Sequence, residues 1–343
     1  MGNLIKRGVP IRKRGDEAGG LYFTSPKSGI EFISSGCALL DCVLGGGWPL
    51  GRIANIVGDK STGKTLLAIE ACANFARRYH NGDILYIEAE ASFDKSYAQA
   101  LGLPTERINF PEGIDTVEQL FNAITLFIDK RKGKLPADKP KDHPGLIIVD
   151  SLDALSDTSE MEREIDKGSF GAAKAKMMSQ LFRRLVRPLE STKVCVLIIS
   201  QVRDAIGVMF GDKHTRSGGK ALDFYASQAL WLSLMKTNKQ VVSKIDRAVS
   251  LTIRARCKKN KISLPLRECE FNLRFGYGIE DLDAGVDFLT KIGKEKLAPP
   301  LDKTKRMRGR ELTEARAALN KVVVEQWHIF ERNFVSSHGK YTE

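Results

Sequence analysis

The chain has 343 residues, 42% of them hydrophobic and 28% charged. These are ordinary globular proportions, and a chain of this size buries a substantial core without disulfides or structural metal. Its 54 Lys and Arg outnumber its 42 Asp and Glu, for a formal net charge of +12. That balance favours polyanionic partners, nucleic acid first.

No apolar run is long enough to span a bilayer, and the basic start lacks an apolar signal segment. Helical membrane proteins and secreted proteins are thereby disfavoured, and a soluble, cytoplasmic protein is expected. Cys37, Cys42, Cys72, Cys195, Cys257 and Cys269 form no CxxC pair, and read as buried, reduced thiols.

Residues 1–30 are rich in Gly and charge with little periodicity, and read as a basic N-terminal arm. From residue 53 short apolar runs alternate with helical spacing. Strands are expected at 53–57, 84–87, 146–149 and 194–199, and helices at 64–78, 115–131 and 171–190. This alternation implies an α/β fold with a mostly parallel central sheet covered on both faces. Residues 132–144, rich in Lys, Asp and Pro, read as a surface loop. Residues 228–235, 249–257 and 266–275 alternate like antiparallel strands and suggest an extension of the sheet. After Pro299 and Pro300 the composition turns basic, then helical from about residue 311 to 334, a small C-terminal helical region.

Gly58-Asp59-Lys60-Ser61-Thr62-Gly63-Lys64-Thr65 fits the phosphate-loop pattern GxxxxGK[ST], with a strand before it and a helix after it. Backbone N–H groups and the helix N-terminus supply positive potential to a triphosphate. Lys64 is expected to reach the β- and γ-phosphates and Thr65 to ligate Mg²⁺. The run Leu146-Ile147-Ile148-Val149-Asp150 is an apolar strand ending in a carboxylate, and Asp150 is expected to hold the same metal. ATP and Mg²⁺ are the implied cofactors. Glu88 and Glu90 follow the strand at 84–87, two apart and therefore on one face unless the chain turns there. Either is placed to orient or deprotonate an attacking water, and spacing alone does not choose between them.

These motifs, with others further along, resemble the RecA family of recombinases, bacterial and phage-encoded, over roughly residues 30–280. Carrying the match are the phosphate loop, residues 87–94 with Tyr97, Ile148-Val149-Asp150-Ser151, Met177-Met178-Ser179-Gln180 and Ser200-Gln201-Val202-Arg203. Ile206-Gly207-Val208-Met209-Phe210-Gly211, Ser217-Gly218-Gly219-Lys220-Ala221-Leu222, Phe224-Tyr225-Ala226-Ser227 and Lys258-Lys259-Asn260-Lys261 complete it. The resemblance implies a RecA-like ATPase core at 31–285, between an arm at 1–30 that joins subunits and a small basic region at 286–343. It implies Glu90 as the catalytic carboxylate, and Asp94 and Tyr97 as the residues that hold and stack on adenine. Gln201 falls at the family's γ-phosphate sensor, coupled to DNA binding. Lys259 and Lys261 fall where lysines reach the neighbouring subunit's ATP, which implies a site completed between protomers of a filament.

Two segments resemble the family's DNA loops. The first spans about 156–171 and leads into the helix carrying Lys176, Ser179 and Arg183; the second spans 203–220. In the second, Gly207, Gly211, Gly218 and Gly219 let the backbone approach a polyanion, while Lys213, Arg216 and Lys220 add phosphate-binding charge, and Arg203, which opens the segment, is a further expected DNA contact. Met209 and Phe210 are apolar groups in a polar loop, placed to stack on bases or to pack beneath the loop. Met177 and Met178 read as core. Arg163 stands where the family has glycine and Lys176 where it has arginine. The start lacks the family's long helical arm, and the end lacks its acidic tail.

The resulting expectation is a DNA-dependent ATPase that coats single-stranded DNA as a helical filament and exchanges strands with homologous duplex DNA. The alternative is a nucleotide-gated mediator or regulator that binds DNA without exchanging strands.

Overall fold

The computed structural model describes residues 29–136, 138–156, 171–204, 214–216, 219–304 and 306–336. In chain order the strands are β1 (Phe32–Ile33), β2 (Trp48–Pro49), β3 (Ile53–Gly58), β4 (Asp83–Glu88), β5 (Ile108–Asn109), β6 (Gly145–Asp150), β7 (Val194–Asp204), β8 (His214–Arg216), β9 (Gln228–Val242), β10 (Ile245–Asn260), β11 (Arg267–Arg274) and β12 (Gly278–Ile279). The helices are α1 (Ala38–Leu44), α2 (Lys64–Arg78), α3 (Lys95–Ala100), α4 (Val117–Arg131), α5 (Gly171–Ser191), α6 (Gly219–Tyr225), α7 (Asp281–Lys291), α8 (Leu301–Thr304) and α9 (Gly309–Glu331).

One sheet organises the molecule, in the order β12-β11-β10-β9-β3-β7-β6-β4-β5, with β8 paired to β7. Strands β9, β3, β7, β6, β4 and β5 run parallel; β10, β11 and β12 continue antiparallel from β9. Every residue of β3 and β6 is buried, as strands covered on both faces require. Alternate side chains divide between two cores. Ala54, Ile56, Leu146, Ile148, Cys195 and Leu197 face one, with α1 and α2. Ile53, Ile147, Val149, Val196 and Ile198 face the other, with α4, α5 and α6.

Helix α4 begins with a capping box: Thr116 accepts from the N–H of Gln119 while the Gln119 side chain accepts from the N–H of Thr116, satisfying otherwise unpaired helix-terminal donors. Helix α7 crosses residue 285, and α9 packs Leu319, Val323 and Trp327 into the first core. All six cysteines are free, five of them buried, in line with the reduced thiols expected. Among the described residues no helix is long and apolar enough to cross a membrane.

Candidate functional site

Strand β3 ends at Gly58, and the chain turns through 59–63 into α2 at the carboxyl end of the parallel strands. Gly63 has φ +86°, and a Cβ there would lie 2.2 Å from Leu273 Cδ1, so the position admits glycine for both conformation and space. The loop is braced from within: Thr62 Oγ1 donates to Asp59 O at 2.8 Å, and Lys64 Nζ donates to the same carbonyl at 2.7 Å. No side chain caps the start of α2, leaving first-turn N–H groups of the kind that bind anions. Burial lowers the Lys64 ammonium below the usual lysine range, and the carboxylates of Glu90, Asp150, Asp59 and Asp153 oppose that shift.

Asp150, at the end of β6, is 1% exposed. Its Oδ2 accepts from Thr65 Oγ1 at 2.8 Å and from the Tyr86 hydroxyl at 3.0 Å. Burial pushes its pKa up from the ordinary carboxylate range; the two donors pull it back, and nearby Glu90 and Glu88 add to the rise. Thr65 and Asp150, both expected metal ligands, are therefore together. A hydroxyl and a carboxylate beside a phosphate loop form the hard-oxygen donor set that suits Mg²⁺. Burial also pushes the Tyr86 phenol far up, with Asp150 adding to it.

Glu88 and Glu90 do not share a role in this geometry. The chain turns immediately after β4, with Ala91 at φ +51°. Glu88 Oε1 accepts from the N–H groups of Ser92 and Glu90, at 2.8 and 3.2 Å, and so binds its own turn. Glu90 Oε1 instead accepts from Gln201 Nε2 at 3.0 Å and from the Ser151 hydroxyl. Gln201 lies on β7, and its N–H donates to Asp153 Oδ2 at 2.6 Å. Lys64, Thr65, Asp150, Glu90 and Gln201 thus gather at the carboxyl ends of four neighbouring strands, where ligands bind in open α/β sheets.

Asp94 caps α3, accepting the Tyr97 N–H at 2.9 Å. Tyr97 packs half-buried on the first core, and burial, with Glu70 nearby, pushes its phenol up to about 12. Lys259 and Lys261 lie elsewhere. Lys259 Nζ donates to the carbonyls of Asp223 and Phe224, and Lys261 Nζ donates to that of Phe224 at 2.7 Å. The strand register fixes their location. Lys259 pairs with Ala229, which pairs with Asn55, whereas Gly58 pairs with Leu232. The lysines therefore stand at the amino end of the strand that carries the phosphate loop at its other end.

Of the expected DNA contacts, Ser179 is half-buried on α5, and Arg183 Nε donates to the Tyr225 hydroxyl at 3.2 Å. Lys176 lies on α5 and Gly219 begins α6. Met178 is buried in the second core and Met177 packs beside it, as expected. Arg203 and Arg216 belong to an antiparallel ladder, β7 with β8, pairing Val202 with Arg216 and Asp204 with His214. Gly207, Met209, Phe210, Gly211, Lys213, Gly218 and Arg163 lie outside the described residues, as do residues 1–28 of the arm expected at 1–30.

The sequence reading missed Tyr86, Ser151 and Asp153 as partners of the site, and the ladder at the base of the second loop. Tyr86 sits inside an apolar strand, where an aromatic reads as core. Asp153 meets Gln201 across 48 residues of chain, a pairing no local pattern reports.

A model of the RecA N-terminal domain matches residues 20–280. The chain is 35% identical over 271 residues to Protein RecA of Streptomyces venezuelae, covering 77% of this chain and 67% of that protein. To Protein RecA of Borrelia hermsii it is 37% identical over 265 residues, covering 76% and 70%. To Protein RecA of a Nocardioides species it is 35% identical over 263 residues, covering 75% and 70%. The expectation of a phage-encoded relative finds no support among these. Residues 281–343 lie beyond the matched domain.

Proposed function

The chain belongs to the RecA family, and from that membership we propose an ATP-dependent recombinase that coats single-stranded DNA as a filament and pairs it with homologous duplex DNA. Lys64 and the amides of 58–65 hold the triphosphate, and Thr65 and Asp150 hold Mg²⁺, which supplies charge neutralisation of the phosphates when bound. Glu90 orients and deprotonates the attacking water. Ser151 and Gln201 fix its carboxylate by the hydrogen bonds described above.

One contact carries the reading: Gln201 Nε2 on Glu90 Oε1 at 3.0 Å. Gln201 lies on β7, two residues before Arg203, where the candidate second DNA loop begins. Within that segment the β7–β8 ladder pairs Asp204 with His214 and Arg203 with Thr215. A change at the phosphate end of Gln201 is thereby delivered to the strand that anchors the DNA segment.

Lys259 and Lys261 complete the site in trans. They stand at the opposite end of the sheet from their own phosphate loop, so they meet a nucleotide when copies stack head to tail, a heterologous contact that propagates as a filament.

The test is direct. Purified protein with ATP and Mg²⁺ should bind single-stranded DNA, and DNA should stimulate hydrolysis. Gln201→Asn should keep nucleotide affinity and lose the ATP-dependent gain in DNA affinity. Absence of both DNA binding and DNA-stimulated turnover in the wild type sinks the proposal. The basic end beyond residue 280, outside the matched domain, motivates the second reading, a mediator that binds without exchanging strands. Turnover and binding without joint-molecule formation would select it.

A further inference from the structure

Tyr86 is the one aromatic residue in β3, β4, β6 and β7, the strands that meet at the phosphate site. It stands opposite Ile148 on β6, in the register that sets Glu88 opposite Asp150. Side chains two apart on a strand share a face, so Tyr86 lies on the face of the sheet that carries Asp150, beneath α2. It is fully buried in the first core. A phenylalanine would fill nearly the same space with no polar atom to satisfy, so packing alone does not account for the hydroxyl. That hydroxyl donates to Asp150 Oδ2 at 3.0 Å, the same oxygen that accepts from Thr65 Oγ1 at 2.8 Å. A phenol keeps its proton at neutral pH, so it is the donor and the carboxylate the acceptor.

Two further segments seat the ring. Phe93, on the turn that follows Glu90, meets it edge-on with ring centres 5.0 Å apart. Phe110, just past β5, lies at 5.5 Å, and the two phenylalanines meet each other at 4.9 Å. Three mutually packed rings fix the direction in which the phenol points. Thr65 and Tyr86 then differ in what they can do for Asp150. The Thr65 hydroxyl has a lone pair to offer a metal as well as a hydrogen for the carboxylate. The Tyr86 hydroxyl, inside the core, reaches the site through Asp150. We propose that Tyr86 is a positioning residue for the metal: its hydroxyl pins Asp150 Oδ2 and so presents the carboxylate's other oxygen to the Mg²⁺ shell. The proposal rests on the nucleotide-hydrolysing part of the function proposed above and does not depend on DNA.

The test uses the full chain with ADP, and Mn²⁺ as the probe for the metal, free Mn²⁺ being read from its paramagnetic resonance. Tyr86→Phe keeps the ring and loses the hydroxyl. It should weaken Mn²⁺ binding to the protein–ADP complex about tenfold, as loss of a hydrogen-bond partner to a metal-binding group does. ADP affinity without metal should match the wild type. In hydrolysis the Mg²⁺ concentration at half-maximal rate should rise by a similar factor, with much of the rate returning at saturating Mg²⁺. A purely structural hydroxyl would shift the melting temperature and leave the metal titration where it is. Phe93→Leu keeps the hydroxyl and loosens its seat, and should move the titration in the same direction by less. An unmoved Mn²⁺ titration in Tyr86→Phe, or in Phe93→Leu should Tyr86→Phe not fold, overturns the assignment and leaves the nucleotide reading standing. A wild type that binds neither ADP nor Mn²⁺ overturns both.

Discussion

Glu88 and Glu90 are two residues apart and chemically identical, so only their surroundings separate them. Glu88 is committed to the N–H groups of its own turn, while Glu90 faces Ser151 and Gln201 across three strand ends. Glu90→Gln is therefore expected to slow hydrolysis by two to four orders of magnitude, roughly the worth of a general base, with ATP affinity retained. Lys64→Ala should abolish nucleotide binding, because its ammonium, held on the loop's own Asp59 carbonyl, is the cation expected to reach the β- and γ-phosphates. Glu88→Gln should lower turnover less than about tenfold. Nucleotide titration and single-turnover hydrolysis on the three variants decide this, and equal loss of ATP affinity in Lys64→Ala and Glu90→Gln contradicts the assignment. Gly63→Ala should misfold the loop, since φ +86° and the Leu273 methyl both oppose a Cβ; heat denaturation and ATP affinity both register it. The phosphate loop and Asp150 were legible in the sequence because each is a contiguous run whose chemistry is local. The choice between the carboxylates was legible only through the family resemblance and not from spacing, because it depends on where β4 stops and on two partners from distant strands.

Elements were legible where burial drives them. The helix expected at 64–78 and the strands at 53–57 and 146–149 match the observed elements closely, since each alternates or repeats against a core. Antiparallel strands are expected at 228–235 and 249–257; the observed β9 runs on to Val242 and β10 starts at Ile245, so the two form one long hairpin. Its outer half is exposed, held by the ladder between the two strands, so no apolar alternation marks it. Its turn uses Ser243 and Lys244 at positive φ in place of the Asn or Gly that ordinarily signals such a turn. Element packing also sets a pH response. Glu70 ties α2 to β12 by accepting the Ile279 N–H at 3.3 Å. Burial pushes it from 4.5 up to about 6; the Ile279 bond and the cations Arg77 and Arg316 oppose the rise, and Asp281 adds to it. A carboxyl raised in the fold is favoured there in its protonated form. The unfolded chain releases that proton first, so stability falls as pH rises through the window from 4.5 to about 6 and is flat above it. Glu70→Gln keeps an acceptor for Ile279 and should flatten that part of the melting-temperature profile. A wild-type profile that rises through the window contradicts the account. Asp41, raised to about 6 by burial against the pull of Ser34 and Ser35, contributes the same sign and remains in the variant.

At the scale of the whole molecule, the sheet separates two halves of one proposed site. The phosphate loop leaves the carboxyl end of β3, and Lys259 and Lys261 stand at the amino end of the adjoining strands. One copy cannot close that distance without breaking the ladder between β9 and β10. Sequence spacing gives no hint of this, since the motifs only show that lysines and a phosphate loop occur in one chain; the strand register shows that they stand toward opposite ends of the sheet. Two copies stacked head to tail resolve the separation, and the arrangement makes complementation a sharp test. Lys64→Ala retains the lysines and lacks the loop cation. Lys259→Ala with Lys261→Ala retains the loop and lacks the lysines. Each variant alone should be nearly inactive in DNA-stimulated hydrolysis. Mixed, they should recover activity, because roughly a quarter of the seams in a random equimolar assembly join an intact loop to intact lysines. Recovery should vanish on dilution below the assembly threshold. Absence of recovery at every ratio, with both variants folded and still assembling, would return the lysines to a purely intrachain duty at the end of α6, where their ammonium groups already bind the carbonyls of Asp223 and Phe224.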